Sequence, residues 1–190
     1  MTYTLGIYEK SMPGNLSWKE KLTIAKNAGY DFLEMSVDET DEKLARIEWS
    51  KQERKELVDA MYEVGLPIRS MCLSGHRKYP LGSHDPLIRA KSLEIMEKAI
   101  ELADDLGIRI IQLAGYDVDY EDGDQQTKEY FIENLQKAVD MASKKGILLG
   151  FETMETPFMN TVEKAMEYVD IIQSPYLQVY PDTGNLKNAS

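Results

Sequence analysis

Six short apolar runs alternate without exception with longer amphipathic ones, and this alternation limits the folds open to the chain. The apolar runs are Leu5-Gly6-Ile7-Tyr8, Phe32-Leu33-Glu34-Met35, Ile68 to Leu73, Arg109 to Leu113, Leu148 to Glu152 and Leu177 to Tyr180. Strands separated by helices pair through parallel, right-handed crossovers, so the pattern selects the α/β class. The near-continuous apolar character of the runs fits strands covered on both faces. From the first strand near position 4 to the sixth at 177, the unit is about 35 residues long. Eight such units would need roughly 280 residues, within the range of a (β/α)8 barrel.

The chain has 190 residues, so the reading is a single domain over 1–190 holding about six of eight βα units. After the sixth strand come only Pro181 to Ser190, and no sixth helix, seventh unit or eighth unit is expected there. An open doubly wound sheet is the architectural alternative. However, Gly6-Ile7-Tyr8 is not a phosphate loop, and no Gly-x-Gly-x-x-Gly follows the first strand.

The helices carry their own punctuation. Ser17 with Glu20, and Ser50 with Glu53, read as capping boxes for helices that end near Gly29 and Gly65. Asp85-Pro86 opens a long helix running toward Gly107. Thr127 is read as the start of a helix to Gly146, and Asn160 as the start of one to about Ile172.

Charge narrows the partners. A net charge of -11 and a pI near 4.7 repel phosphate backbones, and Lys and Arg alternate with Glu and Asp instead of forming a basic patch; nucleic acid is excluded as a partner. No segment approaches the apolar length needed to span a bilayer, and the start has no basic n-region followed by an apolar stretch. A lone Cys72 within an apolar run precludes an intrachain disulfide and fits a reducing cytoplasm. No membrane partner and a cytoplasmic location are expected.

In a parallel barrel the chemistry sits at the carboxyl ends of the strands. Those ends hold Tyr8-Glu9-Lys10, Glu34-Met35-Ser36, Ser74-Gly75-His76-Arg77, Gln112 with Ala114-Gly115-Tyr116-Asp117, Glu152 with Glu155, and Asp182 with Asn185. A carboxylate ending Leu148-Leu149-Gly150-Phe151-Glu152 is costly to bury unless a cation or donor satisfies it. Glu152 and Asp182, on adjacent strands, would point into one cleft, where two carboxylates either share a proton or bind a metal. His76 is the histidine placed to hydrogen-bond a substrate, whereas His84 reads as a loop residue at a helix entry. Tyr116 and Asp117 are also compatible with plain turn residues.

These strand ends carry a resemblance. Leu5 to Lys10, Phe32 to Asp41, Ser70 to Arg77, Ile110 to Asp117 and Tyr180 to Leu186 resemble the bacterial L-ribulose-5-phosphate 3-epimerases, also called L-xylulose-5-phosphate 3-epimerases, of the xylose-isomerase-like barrels. The resemblance implies interconversion of those two ketopentose phosphates, in pathways feeding on L-ascorbate or related sugars. It also implies one divalent ion (manganese, zinc or magnesium) held in related ketose epimerases by Glu, Asp, His and Glu from the fifth to eighth strands. By position Glu152 and Asp182 match the first two of these, and Glu152 becomes one of the two acid/base groups. Tyr8, Glu34, His76, Gln112, Tyr116, Asp117 and Asn185 become the substrate-binding set. Relatives acting on free sugars have a histidine three residues after the metal aspartate; Asn185 stands there instead, so recognition of the sugar hydroxyls should differ.

The chemistry accounts for the pattern. Inverting carbon 3 of a 2-ketose means removing a proton next to a carbonyl, stabilising the charge that develops on oxygen, and returning a proton on the other face. With the last two ligands lying beyond Ser190, the chain alone is expected to lack full activity. Two open sheet edges would favour self-association, so a homo-oligomer is expected. The competing readings are a different metal-dependent aldose–ketose isomerase and a non-catalytic interaction module; an endonuclease-like relative is disfavoured by the acidic charge.

Overall fold

A computed structural model describes residues 3–189. Its strands are β1 (Gly6–Tyr8), β2 (Phe32–Val37), β3 (Ile68–Leu73), β4 (Ile110–Ala114), β5 (Leu148–Glu152) and β6 (Leu177–Tyr180). All neighbours pair in parallel in the order β1-β2-β3-β4-β5-β6, the sequential order of an unrolled barrel. The helices are α1 (Trp18–Asn27), α2 (Asp41–Leu44), α3 (Lys51–Val64), α4 (Pro86–Leu106), α5 (Gln125–Lys145), α6 (Val162–Ile172) and α7 (Thr183–Asn188). Among the described residues, no helix is long and apolar enough to cross a membrane. The architecture is that of a partial (β/α) barrel.

The local signals explain where these elements begin and end. Both Ser17–Glu20 and Ser50–Glu53 form complete capping boxes. Gly65, Gly107 and Gly146 close their helices in the left-handed region that a side chain disfavours. Several bounds differ from the sequence reading, among them β1, which starts at Gly6 and not Leu5, and β4, which runs one residue later than read. Helix α5 starts at Gln125 because Asp124 is the cap and Thr127 completes its capping box three residues in. Helix α6 starts at Val162, capped by Thr161 and not opened by Asn160. Strand β2 continues two residues past Met35, to Val37. A helix does follow β6: Asp182 caps the six-residue α7, although no helix was expected there.

Strand side chains alternate between two faces. Leu33, Met35, Met71, Leu73, Ile111, Leu113, Leu149, Phe151 and Leu177 are fully buried beneath the helices. Phe131 of α5, Phe151 of β5 and Tyr168 of α6 join Phe158 in an aromatic cluster with centroid separations of 5.2–6.3 Å. The other face carries Tyr8, Glu34, Ser36, Ser70, Cys72, Gln112, Glu152 and Tyr180. Ser36, Cys72, Gln112, Gly150 and Gln178 stand in one lateral row across five strands. The apparently continuous apolar runs therefore conceal a period of two: apolar toward the helices, polar toward the inside.

The sheet is curled around that polar face. Tyr180 on β6 donates from its hydroxyl to Glu34 Oε2 on β2, at 3.0 Å. In a flat sheet those strands would be roughly 19 Å apart, four spacings of about 4.8 Å, too far for two side chains to meet. Twist and curl carry the strands around an arc and bring the two residues together.

At the start of the arc lies a buried ionic knot. Glu9 accepts from Arg46 Nη1 at 2.6 Å, from Arg46 Nη2 at 3.1 Å, from Lys21 Nζ at 3.2 Å and from the Ser36 amide at 2.8 Å. Arg46 also donates to the Ser36 carbonyl, and it and Lys21 lie over the Trp18 ring. The knot ties the β1 end and α1 to the loop after β2. Replacing Arg46 by alanine would leave a buried carboxylate with one remaining cation. The expected cost is about 3–5 kcal/mol, read as a lowered urea midpoint at unchanged slope. A shift below about 1 kcal/mol would show that solvent reaches Glu9.

Candidate active site

Buried Phe151 fixes the end of β5: it packs under α5 and α6, so the next residue, Glu152, turns to the concave side. The adjacent β6 leads through Pro181 into Asp182, whose Oδ1 accepts from the Asn185 amide at 2.8 Å as the cap of α7. Thr153 joins the two strand ends. Its hydroxyl accepts from the Asp182 amide at 3.0 Å, and its carbonyl accepts from Asn185 Nδ2 at 2.9 Å. Glu152 and Asp182 thus converge as their positions in the sequence implied.

Their proximity changes the chemistry of Glu152. Burial, then the Asp182 charge, then the Glu34 charge and a hydrogen bond with Asp182 push the Glu152 carboxyl up to about 7, with Arg77 acting in the opposite sense. A carboxyl at that value can both take and return a proton near neutral pH. Gly115 makes this packing possible. A Cβ there would fall 2.4 Å from the Glu152 carbonyl oxygen and 2.8 Å from Met159 Sδ, so the β4 end passes the β5 end where no side chain fits.

Polar residues continue around the interior. Glu34 accepts from Ser70 Oγ at 2.5 Å as well as from Tyr180. Tyr8 donates to Ser36 Oγ at 3.1 Å, and burial pushes its hydroxyl far above its usual range. Burial likewise pushes the Cys72 thiol up to about 11, which keeps it protonated and argues against a nucleophile there. Gln112 is buried in the row between Cys72 and Gly150. Tyr8, Glu34, Gln112, Glu152, Asp182 and Asn185 are therefore gathered at the carboxyl-end interior.

Three of the predicted residues stand apart. His76 follows β3 in a 3-10 turn (Ser74–Arg77) and is buried toward α4, with Nε2 3.2 Å from the Ser92 carbonyl. Burial pushes its imidazole down to about 4, which keeps it neutral near pH 7. Asp117 is buried and accepts from the Thr127 hydroxyl at 2.5 Å, while its carbonyl accepts from the Gly82 amide, which makes it an anchor of the loop before α5. Tyr116 buries its ring in the same region, and its hydroxyl lies beside Arg77. Sequence reading missed Ser70, Tyr180, Thr153 and Arg77. Of these, Ser70 and Tyr180 were open to detection, since they share the strand parity of Cys72 and Gln178.

Among the described residues, no group of three or more His, Cys, Asp or Glu side chains is arranged to hold a metal ion. The donors present are the Glu152–Asp182 pair, two hard oxygen ligands that suit a divalent cation but do not complete its shell.

Residues 22–189 match the family model described as xylose isomerase-like TIM barrel. The L-ribulose-5-phosphate 3-epimerase UlaE of Shigella boydii serotype 18 is 51% identical over 182 residues, which cover 96% of this chain and 64% of that protein. The chain thus spans a little under two thirds of that relative's length. A D-psicose 3-epimerase crystallised in the presence of D-fructose superposes with a TM-score of 0.83 at 17% identity, over 97% of this chain and 65% of the other. A barrel protein from Mycobacterium smegmatis in complex with magnesium gives 0.72 at 18% identity, over 97% and 66%. At these identities the two structures speak to the fold alone. The sequential parallel strands, their curl and the match over residues 22–189 converge: the chain belongs to the xylose isomerase-like TIM barrel family.

Proposed function

We propose that this chain carries one acid/base half of a sugar-phosphate 3-epimerase that interconverts L-ribulose 5-phosphate and L-xylulose 5-phosphate. The observation that carries the reading is Glu152, a carboxyl poised near neutrality beside a second carboxylate on a concave polar face. The relative named as an L-ribulose-5-phosphate 3-epimerase supplies the substrate class.

In this reading the Glu152 carboxylate takes the proton from carbon 3. The C–H electron pair moves into the bond between carbons 3 and 2, and the carbonyl oxygen gains negative charge. Return of a proton to the opposite face completes the inversion, and that step needs a second group facing Glu152 across the sugar. Glu152 and Asp182 would hold a divalent ion (manganese, zinc or magnesium), which when bound supplies positive charge beside the carbonyl oxygen. Tyr8, Glu34 and Gln112 line the space the sugar would fill, with Glu34 held by Ser70 and Tyr180. Asn185 spends its amide nitrogen on Thr153 and keeps its side-chain oxygen for a sugar hydroxyl. The buried, protonated Cys72 suits a reducing cytoplasm. The outer edges of β1 and β6, unpaired among the described residues, suit a homo-oligomer.

Proton exchange isolates the half reaction assigned to Glu152. In deuterium oxide with manganese, the chain should catalyse deuterium entry at carbon 3 of L-ribulose 5-phosphate, followed by proton NMR. Glu152→Gln should slow it by roughly 10²–10⁴-fold. Exchange that survives this substitution would remove Glu152 from the role.

Stability gives an independent readout. Because folding raises the Glu152 carboxyl from 4.5 to about 7, the folded state binds the proton more tightly than the unfolded state. Wild-type stability relative to Glu152→Gln should therefore fall as pH rises from 4.5 to about 7 and stay level above that. Manganese at pH 7.5 should raise the wild-type melting temperature, and Glu152→Gln or Asp182→Asn should cancel the rise. An equal rise in all three proteins would mean the ion binds elsewhere.

A further inference from the structure

At the amino ends of β3 and β4, the end of the sheet away from the carboxylate pair, lies a cavity of about 770 Å³. That volume is within the roughly 300–1,000 Å³ of sites that hold small organic molecules. Its walls are mainly apolar: Val58 and Met61 of α3, Leu66 before β3, Leu106 of α4 and the exposed Tyr62 ring. Strand β3 pairs with β2 and β4, and β4 with β3 and β5, so the cavity does not lie at an open sheet edge.

One residue of β3 is turned out of the strand at this cavity. Leu33 pairs with Ile68 and the next residue, Glu34, with Ser70, so Arg69 is an extra residue opposite them, a β-bulge. A bulge interrupts the ladder and re-aims a side chain. Here it leaves Arg69 exposed between Ile68 and Ser70, which are 1% and 2% exposed. Arg69 lines the cavity. Its guanidinium lies 5.8 Å from the Phe32 ring centroid and has no ion-pair partner among the described residues. A guanidinium so placed offers its fork of five N–H donors to an acceptor from outside the chain.

The surrounding charges set the sign of the ligand. Asp104 is held by Arg109 at 3.1 Å and by Lys145 at 3.0 Å, and Asp105 by Arg54 at 2.7 Å. Counting these groups with Arg69, four cations stand against two carboxylates, a basic spot on a chain of net charge -11. A second copy of so acidic a chain is repelled as a whole, whereas a small anion is drawn to the spot. We infer that this cavity binds a small amphipathic organic anion, its carboxylate or sulfonate on Arg69 and its apolar or aromatic body between α3 and α4. The inference does not rest on the epimerase reading.

Anilinonaphthalene sulfonate, followed by its fluorescence, is the anionic probe, and phenylnaphthylamine is its neutral counterpart. Both should bind the full chain saturably, and amide hydrogen exchange in the presence of the sulfonate should slow over residues 58–69 and 104–110. Arg69→Gln should weaken the sulfonate by roughly 5–20-fold and leave the neutral probe unchanged. Arg69→Lys, which keeps the charge but not the fork, should recover part of the loss. Lys128→Gln, which removes the same charge from α5, should change neither probe, and Val58→Trp, which fills the cavity, should weaken both. Melting curves identify any variant that fails to fold, and the two Arg69 variants, made at an exposed position, then carry the comparison. Undiminished sulfonate binding in Arg69→Gln, an equal loss in Lys128→Gln, or protection confined to the outer edges of β1 and β6 would overturn the inference.

Discussion

The contact between Tyr180 and Glu34 is where the geometry of this protein is decided. It joins the second strand to the sixth across the inside of the sheet, a meeting that only a tightly curled sheet allows. Without that curl the polar ends of the strands would lie along a line, each carboxylate facing water. With it, residues 146 positions apart in the chain share one small volume. The desolvation that raises Glu152, the hydrogen bonds that hold Glu34 and the proximity of Arg77 all follow from that shared enclosure.

Parity along the strands converts this curvature into function. Each strand offers its odd or even residues to the helices and the others to the interior, so one short segment serves stability and chemistry together. Strand β5 shows this most plainly: Leu149 and Phe151 disappear beneath α5 and α6, while Gly150 and Glu152 face inward. Gly150 leaves room for Tyr180, whose Cβ would lie 3.2 Å from any Cβ at 150. The aromatic cluster under Phe151 thereby fixes the direction of the carboxylate that follows it.

Much of this was legible in the residues themselves. β3, β5 and β6 have the bounds read from their apolar runs, and both serine–glutamate capping boxes are formed, because these signals are local. The helix after β6 escaped because a six-residue element has no apolar period to see; its one signal, a capping aspartate, had already been read as a metal ligand. Asp182 serves as cap here and lies against Glu152 as well. Glu152 and Asp182 could be paired from sequence because adjacent parallel strands end together. The neighbours His76 and Arg77 could not be told apart, because a 3-10 turn follows neither the period of a strand nor that of an α-helix. The choice between core and cleft there is made by packing against α4 and the Ser92 carbonyl, contacts that strand parity cannot forecast.

The bare backbone of Gly115 has a consequence for how such a protein can vary. Its neighbour across the sheet is the peptide carbonyl of Glu152, so even a methyl group at 115 must displace the segment bearing the acid. A substitution there would alter the proton affinity of another residue without touching its side chain. Position 115 is thus coupled to the Glu152 carboxyl by exclusion of volume, through the backbone and not through any side chain of its own.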